Sequence, residues 1–295
     1  MTRRETLLFV ALCILWGVPY FFIRIAVMDL SPAVIVFGRT AIGALVLLPV
    51  ALRRGELLPA VRRFSPLLAY TVAEMGIPWF LLSTAEVRLP SSVSGLLIAA
   101  VPAVGTLIAL AAGFERPDAR RVAGLVVGLG GVGAMLGLGM PGASPMALAE
   151  VALVVIGYSL GPQIVARYLN EVPQLGVVTA SLILCALGYA PFALTELPAR
   201  APAALPVASV VVLGVICTAV AFVVAFALIA SIGPVRTTAV TYVNPAIAVI
   251  MGVMLLGERL TLGMGVGFAL ILFGSYLTTR PLTGTTTPPP SLETA

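Results

Sequence analysis

Residues 233–276 read GPVRTTAVTYVNPAIAVIMGVMLLGERLTLGMGVGFALILFGSY, two apolar spans joined by the charged corner Gly257-Glu258-Arg259-Leu260. The stretch has a partner earlier in the chain. Subtracting 143 from each number places Pro245 on Pro102, Glu258 on Glu115, Arg259 on Arg116, Gly267 on Gly124 and Gly274 on Gly131. The same offset holds upstream, with Pro162 on Pro19, Arg167 on Arg24 and Val177 on Val34. An ungapped offset over about 120 residues is hard to obtain by chance, so the chain is one half-unit written twice.

Apolar residues make up 60% of the chain, charged residues 10%, and the mean hydropathy is +1.12. Soluble domains carry about 25% charged residues, so this chain cannot cover itself with a solvated surface. Its apolar runs are long enough to cross a hydrocarbon core about 30 Å thick as helices. The sequence therefore predicts an all-α integral membrane protein. Its net charge of +5 comes entirely with Arg, since Lys and His are absent. The arginines sit between spans without interleaved aromatics, which speaks against nucleic acid as a partner. Without histidine, and with Cys13, Cys185 and Cys217 each inside an apolar span, no metal site, disulfide or cofactor is expected. The N-terminus, MTRRE before an apolar run, mimics a secretory signal. Its repeat counterpart around 149–168 has to be a span, so it is read as a retained helix.

Hydropathy marks ten spans: 6–27, 33–52, 65–87, 91–113, 120–139, 147–168, 174–195, 206–229, 235–256 and 260–279. With the N-terminus cytoplasmic, Arg3, Arg4, Arg53, Arg54, Arg62, Arg63, Arg116, Arg120, Arg121, Arg167, Arg236 and Arg280 fall inside, and Arg88, Arg200 and Arg259 outside. That asymmetry satisfies the positive-inside rule and places both termini in the cytoplasm. Five spans per repeat is an odd number, so the second copy must run upside down. The expected architecture is two inverted five-helix repeats, at 5–139 and 147–280, with a Pro/Thr-rich tail at 281–295 read as disordered. Inverted repeats are the plan of many secondary transporters.

The Trp16-Gly17-Val18-Pro19 stretch, Arg39 early in the second span, the Pro102 and Pro245 helices, and the Glu115-Arg116 and Gly257-Glu258-Arg259 corners before Gly-rich closing helices carry a family likeness. Together they resemble the drug/metabolite transporter superfamily in its ten-helix, EamA-like branch, over essentially residues 5–280. The first corner, Phe114-Glu115-Arg116-Pro117, departs from the commoner Gly-Glu-Arg form at Phe114. The resemblance implies a substrate cavity between the two halves and export of small metabolites, often amino acids.

Charges inside a bilayer cost about 2.5–3.5 kcal/mol on insertion scales and mark function by default. Arg39 and Glu74 qualify. Counting at 1.5 Å per residue puts Arg39 about 9 Å from one face and Glu74 about 14 Å from the other, a vertical gap near 7 Å that long side chains can close. Glu74 is read as facing the cavity to take a proton or a substrate ammonium, with Arg39 pairing with it or holding a substrate carboxylate. The competing reading is a structural ion pair, or a protonated Glu74 bonded to a carbonyl. In the second copy Cys217 stands opposite Glu74 and Leu182 opposite Arg39, so any charged site is asymmetric. Arg24, Glu86 and Arg88 near span ends are read as snorkelling to the interface.

Trp16, Tyr20, Trp79, Tyr158, Gln163, Tyr242 and Asn244 lie near mid-span, deeper than an interfacial aromatic belt. They suit the lining of a cavity for a small amphipathic solute, or helix packing with internal hydrogen bonds. Trp16 and Tyr20, four apart, are expected to share a helix face. Pro19, Pro78, Pro102, Pro162 and Pro245 fall within spans, and the repeat-related pairs Pro19/Pro162 and Pro102/Pro245 suggest matched bends that gate each side. Gly124, Gly128, Gly133, Gly137, Gly263 and Gly267 are spaced for close helix approach, repeat against repeat or in a homodimer. Glu115, Arg116, Gly257, Glu258 and Arg259 are read as caps and topology anchors at exposed corners.

The sequence thus predicts an inner-membrane secondary transporter of a small metabolite, working by alternating access, with proton coupling and facilitated diffusion both open. A lipid-linked sugar flippase or accessory subunit is the alternative. A membrane-embedded enzyme would need a nucleophile–base or metal constellation that the chain lacks, and no P-loop is present for ATP-driven transport.

Overall fold

A computed structural model describes residues 1–113, 118–139 and 143–279. Glu115 and Arg116 of the first corner, and the 281–295 tail, lie outside the described residues. Every regular element among those described is helical. Ten apolar helices follow one another: α1 Arg3–Ala26, α2 Pro32–Arg53, α3 Phe64–Glu86, α4 Ser91–Ala111, α5 Ala119–Gly137, α6 Pro145–Tyr168, α7 Gln174–Thr195, α8 Ala204–Ile232, α9 Val240–Leu256 and α10 Leu262–Thr278. The first eight are long and apolar enough to span a bilayer, and the last two are shorter. The ninth span was expected to start at 235. Instead a separate turn, Pro234–Thr237, precedes it, and α9 begins at Val240.

Local signals set the helix ends. The Thr2 hydroxyl and the Glu5 carboxylate form a capping box on α1, while Ser31 and Ser144 cap α2 and α6 through the amides of Val34 and Ala147. Gly257 adopts φ 67°, a left-handed conformation that a side chain would strain, and both its N–H and that of Glu258 reach back to the Gly252 carbonyl. That closes α9 and fixes the direction of the next residue. The carboxylate of Glu258 then crosses to α4, accepting from the backbone amides of Ser91 (2.7 Å) and Ser92 (2.9 Å) and from the Ser91 hydroxyl (3.0 Å). A negative charge at a helix N-terminus is favourable on both hydrogen-bonding and dipole grounds. The second-repeat corner is therefore a cap, as read from sequence, but for a helix of the other repeat.

The packing follows the repeat. α2 lies on α7, α4 on α9 and α5 on α10, each a helix against its own repeat mate, while α3 packs on α6 as α8 packs on α1. The α5–α10 contact shows the inversion most directly. A side-chain carbon on Gly124 would sit 2.8 Å from the Gly274 carbonyl, and one on Gly131 would sit 2.8 Å from the Gly267 carbonyl. Gly267 is the repeat mate of Gly124 and Gly274 that of Gly131, so the two contacts exchange under the pseudo-twofold relation. Gly128 joins them, lying against Gly274. Gly133 and Gly137 do not, because both face open space; Met135 between them meets Gly267, so the two glycines lie on the side of α5 turned away from α10.

The prolines do not act as matched pairs. Pro19 interrupts α1 at Val18 and Pro102 interrupts α4 at Ala99-Ala100. Their mates Pro162 and Pro245 sit inside continuous helices, where the remaining ladder bonds hold the helix across the one missing donor. Pro78 opens the last segment of α3. The break at Val18 also divides Trp16 from Tyr20.

The glycine seam gives a direct test. Gly131→Leu, which must push on the α10 backbone, is expected to destabilise the protein by about 1–3 kcal/mol or more. Gly130→Leu, at a site with nothing within 4 Å, should stay within about 1 kcal/mol of the parent. Thermal unfolding in detergent compares the two.

Candidate functional site

Both repeats loosen the third helix at the same level. In α3, residues Thr71–Gly76 take a π-helical turn, and in α8, residues Val215–Val220 do the same. Glu74 and its repeat mate Cys217 lie one in each. A π turn widens the ladder and displaces a carbonyl from its regular partner, and such turns concentrate at functional sites. In α3 the hydroxyl of Tyr189, from α7, donates to the Gly76 carbonyl at 2.9 Å, and Tyr189 stacks on Phe80.

The bulge is received by α6. A side-chain carbon on Gly157 would strike the Ala73 carbonyl and the Pro78 ring, and one on Gly161 would strike the Glu74 carboxyl. Gly157-x3-Gly161 is thus a socket cut for the π turn. Within it the Oε2 atom of Glu74 is buried without a hydrogen-bond partner. Tyr70, buried, and Tyr158 both lie within electrostatic range of Glu74.

Arg39 goes to the other π turn. Its Nε donates to the Thr218 hydroxyl at 2.9 Å, and its guanidinium lies 3.7 Å from the centroid of the Trp79 ring. It is 6% exposed and makes no ion pair with Glu74. The expected bridge between the two charges is therefore not formed, because Thr218 and Trp79 hold the guanidinium elsewhere. No described residue accepts a hydrogen bond from its two terminal amino groups. Tyr158, on α6 between Gly157 and Gly161 in sequence, is within electrostatic range of both Arg39 and Glu74, and Tyr20, Cys185 and Cys217 are within range of Arg39. Among the described residues the arrangement is one cation fixed by Thr218 and Trp79 with its terminal amino groups unused, and one carboxyl with a buried, unpartnered oxygen.

Other sequence-predicted residues lie outside this group. Trp16 meets Phe222 edge-on at 6.1 Å. Gln163 donates to the carbonyls of Ser159 (2.9 Å) and Gly105 (3.4 Å), joining α6 to α4, and the Tyr242 hydroxyl donates to the Ser275 carbonyl at 3.2 Å. With its amide nitrogen turned toward two carbonyls, Asn244 donates to Val240 at 3.0 Å and to Cys13 at 3.1 Å, tying α9 to α1. These three act as interhelical bonds. Among the described residues, no group of three or more His, Cys, Asp or Glu is placed to hold a metal, and the three cysteines are free and buried.

The span-end charges differ from expectation. Arg24 donates to the carbonyls of Glu86 (2.6 Å) and Val87 (3.3 Å), capping α3, and Arg88 grips both oxygens of Glu150 at 2.6 and 2.7 Å. Glu86 does not snorkel: its side chain faces the packed interior at the end of α3, fully buried, and among the described residues both carboxyl oxygens are unpartnered. Sequence reading also missed Thr218, Tyr189 and the Gly157/Gly161 socket. Only the socket carried a signal, the same small-x3-small spacing noted in the closing helices.

The model of the EamA-like transporter family matches residues 3–137 and 146–280. The uncharacterized inner membrane transporter YedA of Escherichia coli (strain K12) is 26% identical over 279 residues, covering 90% of each chain, and its counterpart from Escherichia coli O157:H7 matches equally. A crystal structure of another protein superposes at TM-score 0.66 over 93% of this chain and 96% of its own, at 21% identity, a likeness of fold. The repeated helices, the cross-repeat glycine seam and the two-fold family match together make this chain a member of the EamA-like transporter family.

Proposed function

We propose that the chain exports a small amphipathic metabolite, an amino acid or a related zwitterion, across the cytoplasmic membrane by alternating access. Both termini then face the cytoplasm, a placement that the arginine distribution supports. The observation that carries this reading is the pair of π turns at equivalent depth in α3 and α8. Each repeat has a softened point in the same helix, and the group that matters at each is different: Glu74 in one, Thr218 with Arg39 in the other. Arg39 offers two free donors to a substrate carboxylate, held in place by Nε and by the Trp79 face. Glu74 exchanges a proton for a substrate ammonium, so that transport is coupled to the proton gradient. A carboxyl without a donor in apolar surroundings is stable only when neutral or when a cation joins it.

Two experiments test the reading. In proteoliposomes, flux of a labelled amino-acid panel should rise with an imposed pH gradient, and Glu74→Gln should abolish that dependence. Gradient-indifferent flux in both proteins would make the chain a uniporter and Glu74 structural, and no flux of any amino acid would move the substrate class elsewhere. Thr218→Val removes the acceptor for Arg39 Nε, at a cost of about 1–3 kcal/mol. Substrate binding by the purified protein should weaken roughly tenfold or more on that account, while Thr218→Ser should bind as the parent does.

A further inference from the structure

A cavity of about 590 Å³ lies where α3 begins and α6 ends, outside the two π turns. It is bounded by the end of a short helix, Leu57–Arg62, the first residues of α3 and the segment after α6. Its charged lining is Arg62, Arg63, Arg167 and Glu171, three cations against one anion, leaving two positive charges in excess. Arg62 and Arg63 are exposed, and neither side chain bonds to another described residue. Arg167 lies over the Tyr168 ring at 5.5 Å. Ser65 and Asn170 add neutral hydrogen-bonding groups.

The surroundings say which anion fits. Phe64, which lines the pocket, and Leu58 and Val61, on the short helix that leads into it, are all exposed large apolar side chains. In water such a rim is unfavourable, and around a site for a free anion it would serve nothing. At the level where spans begin and end, it sits at the boundary between acyl chains and headgroups, with the guanidinium groups at phosphate height. We propose that this pocket binds the phosphate headgroup of an anionic phospholipid, with the first carbons of its acyl chains against Leu58, Val61 and Phe64. Basic pockets between membrane helices bind such headgroups through the same chemistry. The orientation proposed above assigns the lipid to the cytoplasmic leaflet; the binding itself depends on neither the orientation nor any transport activity.

The test uses the purified full-length protein in detergent, with native mass spectrometry reading retention of dioleoyl-phosphatidylglycerol against dioleoyl-phosphatidylcholine at equal concentration. The parent should retain the anionic lipid in preference by roughly tenfold or more, and R62Q/R63Q should bring the two lipids within about twofold of each other. R3Q/R4Q, which removes the same charge from the first turn of α1, should keep the parent's preference. Equal retention by the parent, a preference that survives in R62Q/R63Q, or an equal loss in R3Q/R4Q each overturns the proposal. Displacement of the lipid by glycerol phosphate at matched concentration would do so too, since it marks a site for a free anion. If R62Q/R63Q fails to fold, the single variants R62Q and R63Q are read by the same criteria, each expected to lose part of the preference.

Discussion

A hydrocarbon environment offers no hydrogen bonds, so every backbone group this chain loosens must be satisfied by the chain itself. That constraint orders much of the structure. The π turn in α3 is tolerated because Tyr189 reaches from α7 to the Gly76 carbonyl. The start of α4 is tolerated because Glu258 crosses from the other repeat to take two of its amides. Buried hydroxyls turn back on their own helices, as Thr71 does to Leu67, Ser83 to Trp79 and Thr179 to Leu175. Polar side chains that reach further, Gln163, Tyr242 and Asn244, end on carbonyls of neighbouring helices. Among the described residues the buried hydroxyls of Ser92, Ser94 and Ser181 lack a partner, and so do the carboxyl oxygens of Glu86 and the Oε2 atom of Glu74, the acidic groups and so the costlier ones.

The repeat duplicates backbone and divides chemistry. The helix pairings, the glycine seam and the π turns occur in both halves. The two mid-span charges do not, since the repeat mate of Glu74 is Cys217 and that of Arg39 is Leu182. Yet the second half is not a passive copy. Its π turn supplies Thr218 to Arg39, and its α6 supplies the glycine socket for Glu74. Each charge of the first repeat is thus held against the second. Any movement of one repeat relative to the other must change the environment of both.

The architecture was legible because it rests on additive signals. Ten apolar spans and a constant offset of 143 residues survive any single misplacement. The glycine positions were partly legible: spacing identified a close-packed stripe on α5, but only the register with α10 separates Gly124 and Gly128, which meet it, from Gly133 and Gly137, which do not. The partners of Arg39 were not legible at all. Depth along a helix gives a vertical distance and says nothing of azimuth, so a 7 Å gap to Glu74 looked closable, although the guanidinium points to a threonine 179 residues away in sequence. Glu86 was misplaced for a related reason. A residue at a span end is interfacial only if its side chain faces outward, and that of Glu86 faces the packed interior.

The energetics separate the two buried charges. Carrying an arginine at mid-membrane costs about 2.5–3.5 kcal/mol on insertion scales. Stacking on a desolvated indole returns up to about 2 kcal/mol, and one hydrogen bond to a charged donor about 1.5–3 kcal/mol. Trp79 and Thr218 therefore bring Arg39 close to neutral cost without using its terminal amino groups, and a further anionic partner adds affinity that folding does not need. Glu74 has no such compensation from side-chain donors. Among the described residues its Oε2 atom is buried with no hydrogen-bond partner, so its burial is uncompensated at the site itself. A donor built in for Glu74 would stabilise the fold, and under the proton exchange proposed above it would also remove the group that exchanges.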